Sequence, residues 1–242
     1  MPALSKTQID QLGYRLKSGS LAEEDLRLLD EYRRSFGEAY ASVVHSIRQE
    51  LHLEPTGRPA KSTSSIIEKL RRESIRLTQV QDVAGCRIVV ADVVAQNRVV
   101  SSLQPLFART TVIDRRTKPS HGYRAVHVIV YIGPTLIEIQ IRSALQHMWA
   151  EVSEKLADTI EPAIKYGGGP RTIMDLLTKA SDTVASLEAA EMQAAHGSAE
   201  TSEPQSAQPE RVRRMLDGIR SDLRSLFTSL IASVDELKGK LR

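Results

Sequence analysis

Apolar residues recur at helical spacing along the first fifty positions. After Ser20, Leu21, Leu28, Leu29, Tyr32, Phe36, Tyr40, Val43, Val44 and Ile47 fall at intervals that line one helical face. Two helices are predicted there, each opened by a capping box, Ser5-x-x-Gln8 and Ser20-x-x-Glu23. Gly57-Arg58-Pro59 interrupts the pattern, and residues 65–72 read as a short helix with Ile66, Ile67 and Leu70 inward. From Asp82 the chain becomes β-rich. Residues 86–91, 110–114, 123–132 and 136–142 are predicted strands, and a helix over 93–107 follows the first. Gly133-Pro134 supplies the turn between the last two, and residues 143–156 return to helix. This order predicts an α+β fold, a small mixed sheet covered by helices and flanked by N- and C-terminal helices.

Beyond Lys165 the pattern changes again. Gly167-Gly168-Gly169-Pro170 ends the compact part, and residues 171–195 read as helix. Residues 196–210, HGSAETSEPQSAQPE, have no apolar period and are expected to form a flexible linker. Val212, Leu216, Ile219, Leu223, Leu226 and Leu230 then alternate by four and three, a coiled-coil-like stripe. The expected organisation is N-terminal helices over 1–56, a core over 57–165, a helical extension over 166–195, the linker, and an amphipathic helix over 211–242. That last stripe is too apolar to stay alone in water. It either completes the chain's own core or serves a homo-oligomer or a regulatory protein partner.

Composition narrows the classes. The 242 residues are 41% hydrophobic, but only three Phe, one Trp and six Tyr are present, so the core must be aliphatic. Cys86 is the single cysteine, which excludes an internal disulfide and a Cys-rich zinc site and fits a reducing cytoplasm. MPALSKTQID lacks the apolar centre of a signal peptide, and no apolar run reaches the roughly 18 residues of a membrane span. A cytoplasmic protein without membrane association is the expectation. Net charge is only +3, so local clusters matter more than the sum: Arg71, Arg72 and Arg76, then Arg115, Arg116, Lys118 and Arg124. There is no Gly-rich Walker loop and no Ser-His-Asp arrangement.

Candidate chemistry lies on the predicted strands. Alternation places Glu138, Gln140 and Arg142 opposite Ile137, Ile139 and Ile141. This is either the wet face of an antiparallel strand or a set suited to a sugar hydroxyl beside phosphates. A glutamate accepts a proton or orients a hydroxyl, and an arginine presents a donor fork to phosphate. Tyr123 and His127 share a predicted strand face after Gly122, suited to stacking on a base and contacting its phosphate, or to half-buried packing. Asp82 precedes a strand, where a carboxylate caps a turn or holds magnesium beside substrate phosphates. Arg58, Lys61, Ser62 and Ser65 form a basic, hydroxyl-rich stretch before a helix N-terminus, which favours anions.

Taken in order, Arg58…Lys61-x-x-x-Ser65-Ile-Ile-Glu-Lys-Leu70, Gln81-Asp-Val-Ala-Gly-Cys-Arg87, Gly122-Tyr-Arg-Ala-Val-His127, Glu138-Ile-Gln-Ile-Arg142 and Trp149-Ala150 resemble the motif series of RelA/SpoT synthetase domains. The resemblance spans about residues 57–156. It implies a nucleotidyltransferase-like fold that moves the β,γ-pyrophosphoryl group of ATP to the ribose 3′-hydroxyl of GDP or GTP, making (p)ppGpp. It further implies that Asp82 holds Mg2+, that Glu138 with Gln140 activates or orients the hydroxyl, and that Tyr123 and His127 bind the acceptor. Arg58, Lys61, Arg87, Lys118 and Arg142 then belong to ATP and phosphate. The pattern also departs from the family. Arg58 lies one residue farther from Lys61 than in the usual Arg-x-Lys, and the loop from Asp114 to Gly122 is short. Ser153-Glu154-Lys155 stands where many small synthetases read Glu-His-Lys. No His is followed by Asp, so the family's metal-dependent hydrolase motif is missing and a synthetase-only protein is expected. Two alternatives remain: a toxic relative that modifies the 3′ end of tRNA, and a silent interaction module.

Overall fold

The computed structural model of the chain describes residues 4–19, 22–200 and 207–240, without the side chains of residues 58, 196–200, 207–209 and 240. Helix α1 (Lys6–Ser18) opens with the expected box. Gln8 N donates to Ser5 Oγ at 3.3 Å, and Ser5 N donates to Gln8 Oε1 at 2.9 Å. The second expected box begins at Ser20, outside the described residues. Helix α2 (Glu23–Arg34) instead begins with Ala22 N donating to the Asp25 carboxylate at 3.3 Å. The helix read through residue 47 is two helices, because α3 (Gly37–Leu51) starts anew after Ser35. Ser35 Oγ donates to Tyr32 O at 2.7 Å, a local bond that competes with continuing the helix. The apolar period runs through this break unchanged, so it did not signal it.

A short strand missed by the pattern follows. β1 (Thr56–Arg58) pairs antiparallel with β2 (Ala84–Val90), Thr56 opposite Arg87 and Arg58 opposite Gly85. Three residues reading Thr-Gly-Arg carry no alternation to detect. Helix α4 (Thr63–Arg72) lies between them, capped by Ser62, whose Oγ accepts from Ser65 N at 3.3 Å. Helix α5 (Val93–Leu103) stops short of the predicted residue 107, since Pro105 sits in a separate tight turn. Strands β3 (Thr110–Asp114), β4 (Val126–Ile132) and β5 (Thr135–Ser143) complete a five-stranded mixed sheet of order β1-β2-β5-β4-β3. The expected α+β class is therefore correct. Strand β4 begins three residues later than predicted. Tyr123 N donates to Ser120 O at 2.9 Å in a tight turn where Gly122 has φ of 86°.

Helix α6 (Ala144–Thr159) is capped by Ser143, and α7 (Arg171–Glu200) and α8 (Ala207–Lys240) follow. The expected linker over 196–210 is corrected at both ends. Residues 196–200 continue α7 and 207–210 belong to α8, while 201–206 lie outside the described residues. None of the helices is long and apolar enough to cross a membrane, among the described residues.

The chain forms two compact units. The first holds residues up to 88 with 101–113 and 127–140. Its aliphatic core includes Leu12, Leu16, Leu29, Ile47, Ile66, Leu70, Leu77, Ile129, Ile137 and Ile139, all essentially inaccessible. The second holds residues 89–100, 114–126 and 141 onward. Its core joins Leu145, Trp149 and Val152 of α6, Leu177, Val184 and Leu187 of α7, and Leu216 and Phe227 of α8.

Helix α8 thus completes its unit's core. Its inward residues are Leu216, Leu223, Phe227, Leu230, Ile231 and Val234, whereas Val212, Ile219 and Leu226 of the predicted stripe are exposed. The four-three spacing mixed two faces, and Phe227 lay outside it. Phe227→Ala is expected to cost about 3–5 kcal/mol through the cavity it leaves. The neighbouring Leu226→Ala, 55% exposed in the parent, should change stability by less than about 0.5 kcal/mol, both read by chemical denaturation.

Candidate active site

The carboxylate of Glu138 is the most constrained group of the first unit. It is 8% exposed on β5. His127 Nδ1 on the adjacent strand β4 lies 2.8 Å from its Oε1, and Gln140 Nε2 donates to its Oε2 at 2.8 Å. Gly85 on β2 permits this packing, since a Cβ there would sit 2.5 Å from Glu138 O. Burial by itself raises the Glu138 pKa. Hydrogen bonds and charge from His127, with the Gln140 bond, outweigh it and hold the carboxyl below its ordinary value. The ionised form is therefore built in. The face carrying Glu138 is not wet, and a buried, bonded polar set replaces the solvated strand face that alternation allowed.

Asp82 lies in the turn before β2, beside α4. Lys61 Nζ donates to its Oδ2 at 2.6 Å and Lys69 Nζ to its Oδ1 at 2.8 Å. The three side chains are about four-fifths buried, with exposures of 18–21%. Lys61 N also donates to Val83 O at 2.6 Å, tying the start of α4 to the approach of β2. Burial alone would raise the Asp82 pKa, but the two ammonium charges and their hydrogen bonds bring it to about 2. The negative charge of Asp82 is felt at Glu138, which it pushes upward. Lys69 was not among the residues singled out from the sequence. Its signal is its place two turns after Lys61 on α4, legible only once that helix is set beside Asp82.

Among the other expected residues of this unit, Arg87 is half-buried on β2, and the side chain of Arg58 lies outside the described residues. His127 is bound to Glu138, so its assignment to the acceptor phosphate is joined by a role on the carboxylate. In the second unit, Arg142 and Tyr123 form one pair. Arg142 Nη2 donates to Tyr123 Oη at 3.1 Å, and its guanidinium carbon stands 5.0 Å from the ring centroid. Arg142, expected on phosphate, is 3% exposed and supports this ring. Tyr123 lines a cleft with Ser120, His121, Trp149, Ala150, Ser153, Glu154 and Lys165. Lys118 is exposed on its loop.

The sequence and the architecture have known counterparts. The profile of the region found in RelA/SpoT proteins matches residues 57–157. GTP pyrophosphokinase YjbM of Bacillus subtilis is 34% identical over 151 residues, 55% of this chain and 67% of YjbM. The uncharacterized protein Rv1366 of Mycobacterium tuberculosis is 38% identical over 119 residues, and that match spans 47% of this chain and 43% of Rv1366. The small alarmone synthetase 1 of B. subtilis bound to its product pppGpp superposes with a TM-score of 0.53 at 26% identity, covering 74% of this chain and all of that one. The same enzyme bound to AMPCPP gives 0.51. The chain belongs to the RelA/SpoT family.

The Asp82 triad predicts a pH dependence. Its carboxyl pKa falls from 3.8 to about 2 on folding, so its contribution is complete above about pH 4 and is lost as pH falls toward 2. At neutral pH this amounts to about 2 kcal/mol. The stability gap between wild type and Asp82→Asn, measured by urea unfolding, should be constant from pH 7 to 5 and shrink below pH 4. A gap that persists unchanged at pH 2.5 would assign the loss to packing instead.

Proposed function

We propose that the chain is a pyrophosphokinase that transfers the β,γ-pyrophosphoryl group of ATP to the ribose 3′-hydroxyl of GDP or GTP. The carrying observation is Glu138, an ionised, buried carboxylate fixed on both oxygens by His127 and Gln140. Family membership and the likeness to a synthetase crystallised with pppGpp support the same reading. In this mechanism the acceptor hydroxyl donates a hydrogen bond to Glu138. Its oxygen attacks the β-phosphorus of ATP as the bond to the α-phosphate oxygen breaks, AMP leaves, and the hydroxyl proton passes to the carboxylate. The depressed pKa suits Glu138 to orienting the hydroxyl, with the proton taken late, as the oxygen loses its basicity. Gln140 and His127 hold its rotamer, and the pairing with the imidazole offsets the charge.

Phosphates need positive charge and positioning more than covalent chemistry. Lys61 and Lys69, both at Asp82, together with Arg87 and the N-terminus of α4, supply it. Magnesium takes hard oxygen donors and one or two carboxylates alongside substrate phosphates. Asp82 fits that demand, with Glu138 near enough to sense its charge. No cluster of three metal-ligating side chains exists among the described residues. When bound, the ion would neutralise charge between β- and γ-phosphates. Lys61 and Lys69, held at Asp82 in this structure, are the cations that would meet incoming phosphates. On the acceptor side, Tyr123 offers a stacking ring held by Arg142.

An RNA acceptor draws less support. In the Arg71, Arg72 and Arg76 cluster, Arg72 pairs with Glu73 at 3.0 Å and Arg76 approaches Asp10 at 3.8 Å. The deciding experiment incubates pure protein and γ-labelled ATP with magnesium, separately with GDP, GTP and deacylated tRNA. Labelled guanosine tetra- or pentaphosphate, lost on adding EDTA, is expected. Label in tRNA alone, or no transfer at all, overturns the proposal. Glu138→Gln keeps shape but cannot take a proton, and should lower kcat by about 10²–10⁴-fold while the protein stays folded by circular dichroism. Tyr123→Ala should raise the acceptor KM by an amount worth about 1–3 kcal/mol and leave the ATP KM alone, while Tyr123→Phe keeps most activity. Equal behaviour of the two variants would dismiss stacking.

A further inference from the structure

Helix α7 lies outside the region matched to the family, yet one of its side chains grips the turn that carries Tyr123. Ser181 is 2% exposed. Its Oγ donates to Gly122 O at 2.6 Å and accepts from Arg124 Nε at 2.9 Å. A single buried oxygen is thus bound on both sides of Tyr123. Arg124 is fixed further, Nη1 donating to Arg116 O at 2.6 Å and Nη2 to Asp182 Oδ1 at 3.1 Å. The turn has little room to adjust. Gly122 holds a left-handed φ of 86°, and a Cβ there would stand 2.7 Å from Trp149 Cζ2 and 3.3 Å from Ser181 Cβ. Trp149 is itself anchored to α7, its Nε1 donating to Leu177 O at 2.8 Å.

We infer that Ser181 is a positioning residue for the acceptor nucleotide: its hydroxyl ties down the Gly122 carbonyl before Tyr123 and the Arg124 guanidinium after it, while Arg142 holds the ring's far end. The inference rests on the reading of Tyr123 as the residue that stacks on the acceptor base. Arg142 reaches the Tyr123 hydroxyl and ring, and the bonds from Ser181 complement it at the turn. Losing the Ser181 hydroxyl leaves Gly122 O and Arg124 Nε without it in a buried place, so the turn relaxes and the ring no longer meets the base at its fixed angle. A role acting through Tyr123 must vanish when the ring is absent.

The test measures acceptor KM, ATP KM and kcat with GDP for wild type, Ser181→Ala, Tyr123→Ala and the double variant, with direct GDP binding by calorimetry and thermal melting alongside. Ser181→Ala is expected to raise the GDP KM and Kd by about tenfold, with ATP KM unchanged. In the Tyr123→Ala background the same substitution should add less than about twofold. A full tenfold effect persisting without the ring, or an equal rise in ATP KM, would overturn the role. An unchanged GDP KM in Ser181→Ala beside a weakened Tyr123→Ala overturns the positioning role alone. An unchanged GDP KM in Tyr123→Ala overturns the stacking reading and this role with it. If Ser181→Ala does not fold, Ser181→Cys, nearly isosteric with a weak donor, carries the same comparison and the same outcomes.

Discussion

A carboxylate taken out of water must be met by partners, and the first unit is organised around meeting two of them. Leaving either Glu138 or Asp82 buried and alone would cost several kcal/mol. Glu138 is met from the adjacent strand by His127 and from its own strand by Gln140. Its position therefore fixes the register of β4 against β5, since a slip of one residue would turn His127 to the other face. Asp82 is met by Lys61 from the segment just before α4 and by Lys69 from its last turn. That pairing locks α4 against the turn before β2, and β1, paired with β2, leads into the segment that supplies Lys61.

On the function proposed above, the same compensation would prepare the unit for chemistry. Two ammonium groups held on one carboxylate are a store of positive charge that is already desolvated and directed. On the proposed function, an incoming polyphosphate would draw them from Asp82 and leave that carboxylate for a cation. Electrostatic stabilisation of this kind needs little reorganisation at the moment of reaction. Glu138 by contrast is bonded on both oxygens within its own sheet, so its orientation is set by the fold.

In the second unit helix α7 holds Trp149 and Arg124, while Arg142 of β5 holds the Tyr123 ring. The N-terminus of α6 is held by a buried polar set. Ser143 donates to Glu188 of α7, Gln146 donates to Glu188 at 2.8 Å, and Gln96 of α5 donates to Gln146 at 2.9 Å. Burial pushes the Glu188 carboxyl upward against the pull of these bonds. Arg220 of α8 pairs with Glu191 and donates to Ala91 O at 2.7 Å. The C-terminal helices are thus structural parts of this unit, with polar cross-links as specific as its apolar packing.

The local pattern of the chain was enough for the α+β class, the box at Ser5, the strand over 110–114, and the helices that became α4, α6 and α7. Each of these rests on periodicity or on a bond between near neighbours. The residue types of the candidate site were legible only through the ordered motif series from Arg58 to Ala150, since the alternation of Glu138, Gln140 and Arg142 with isoleucines alone also fits a wet strand face. Tertiary structure decided the rest. It decided that Glu138 is buried rather than wet, since burial depends on which strands lie beside β5. It assigned His127 to Glu138 and Arg142 to Tyr123, pairings across 11 and 19 residues that no local period encodes. It brought Lys69 to Asp82, split the second helix at Ser35, and turned Phe227 inward while Leu226 stayed exposed. Sequence spacing specifies which side chains share a face of one element. Which of those faces meets another, and so which charges find partners, is settled only when the elements pack.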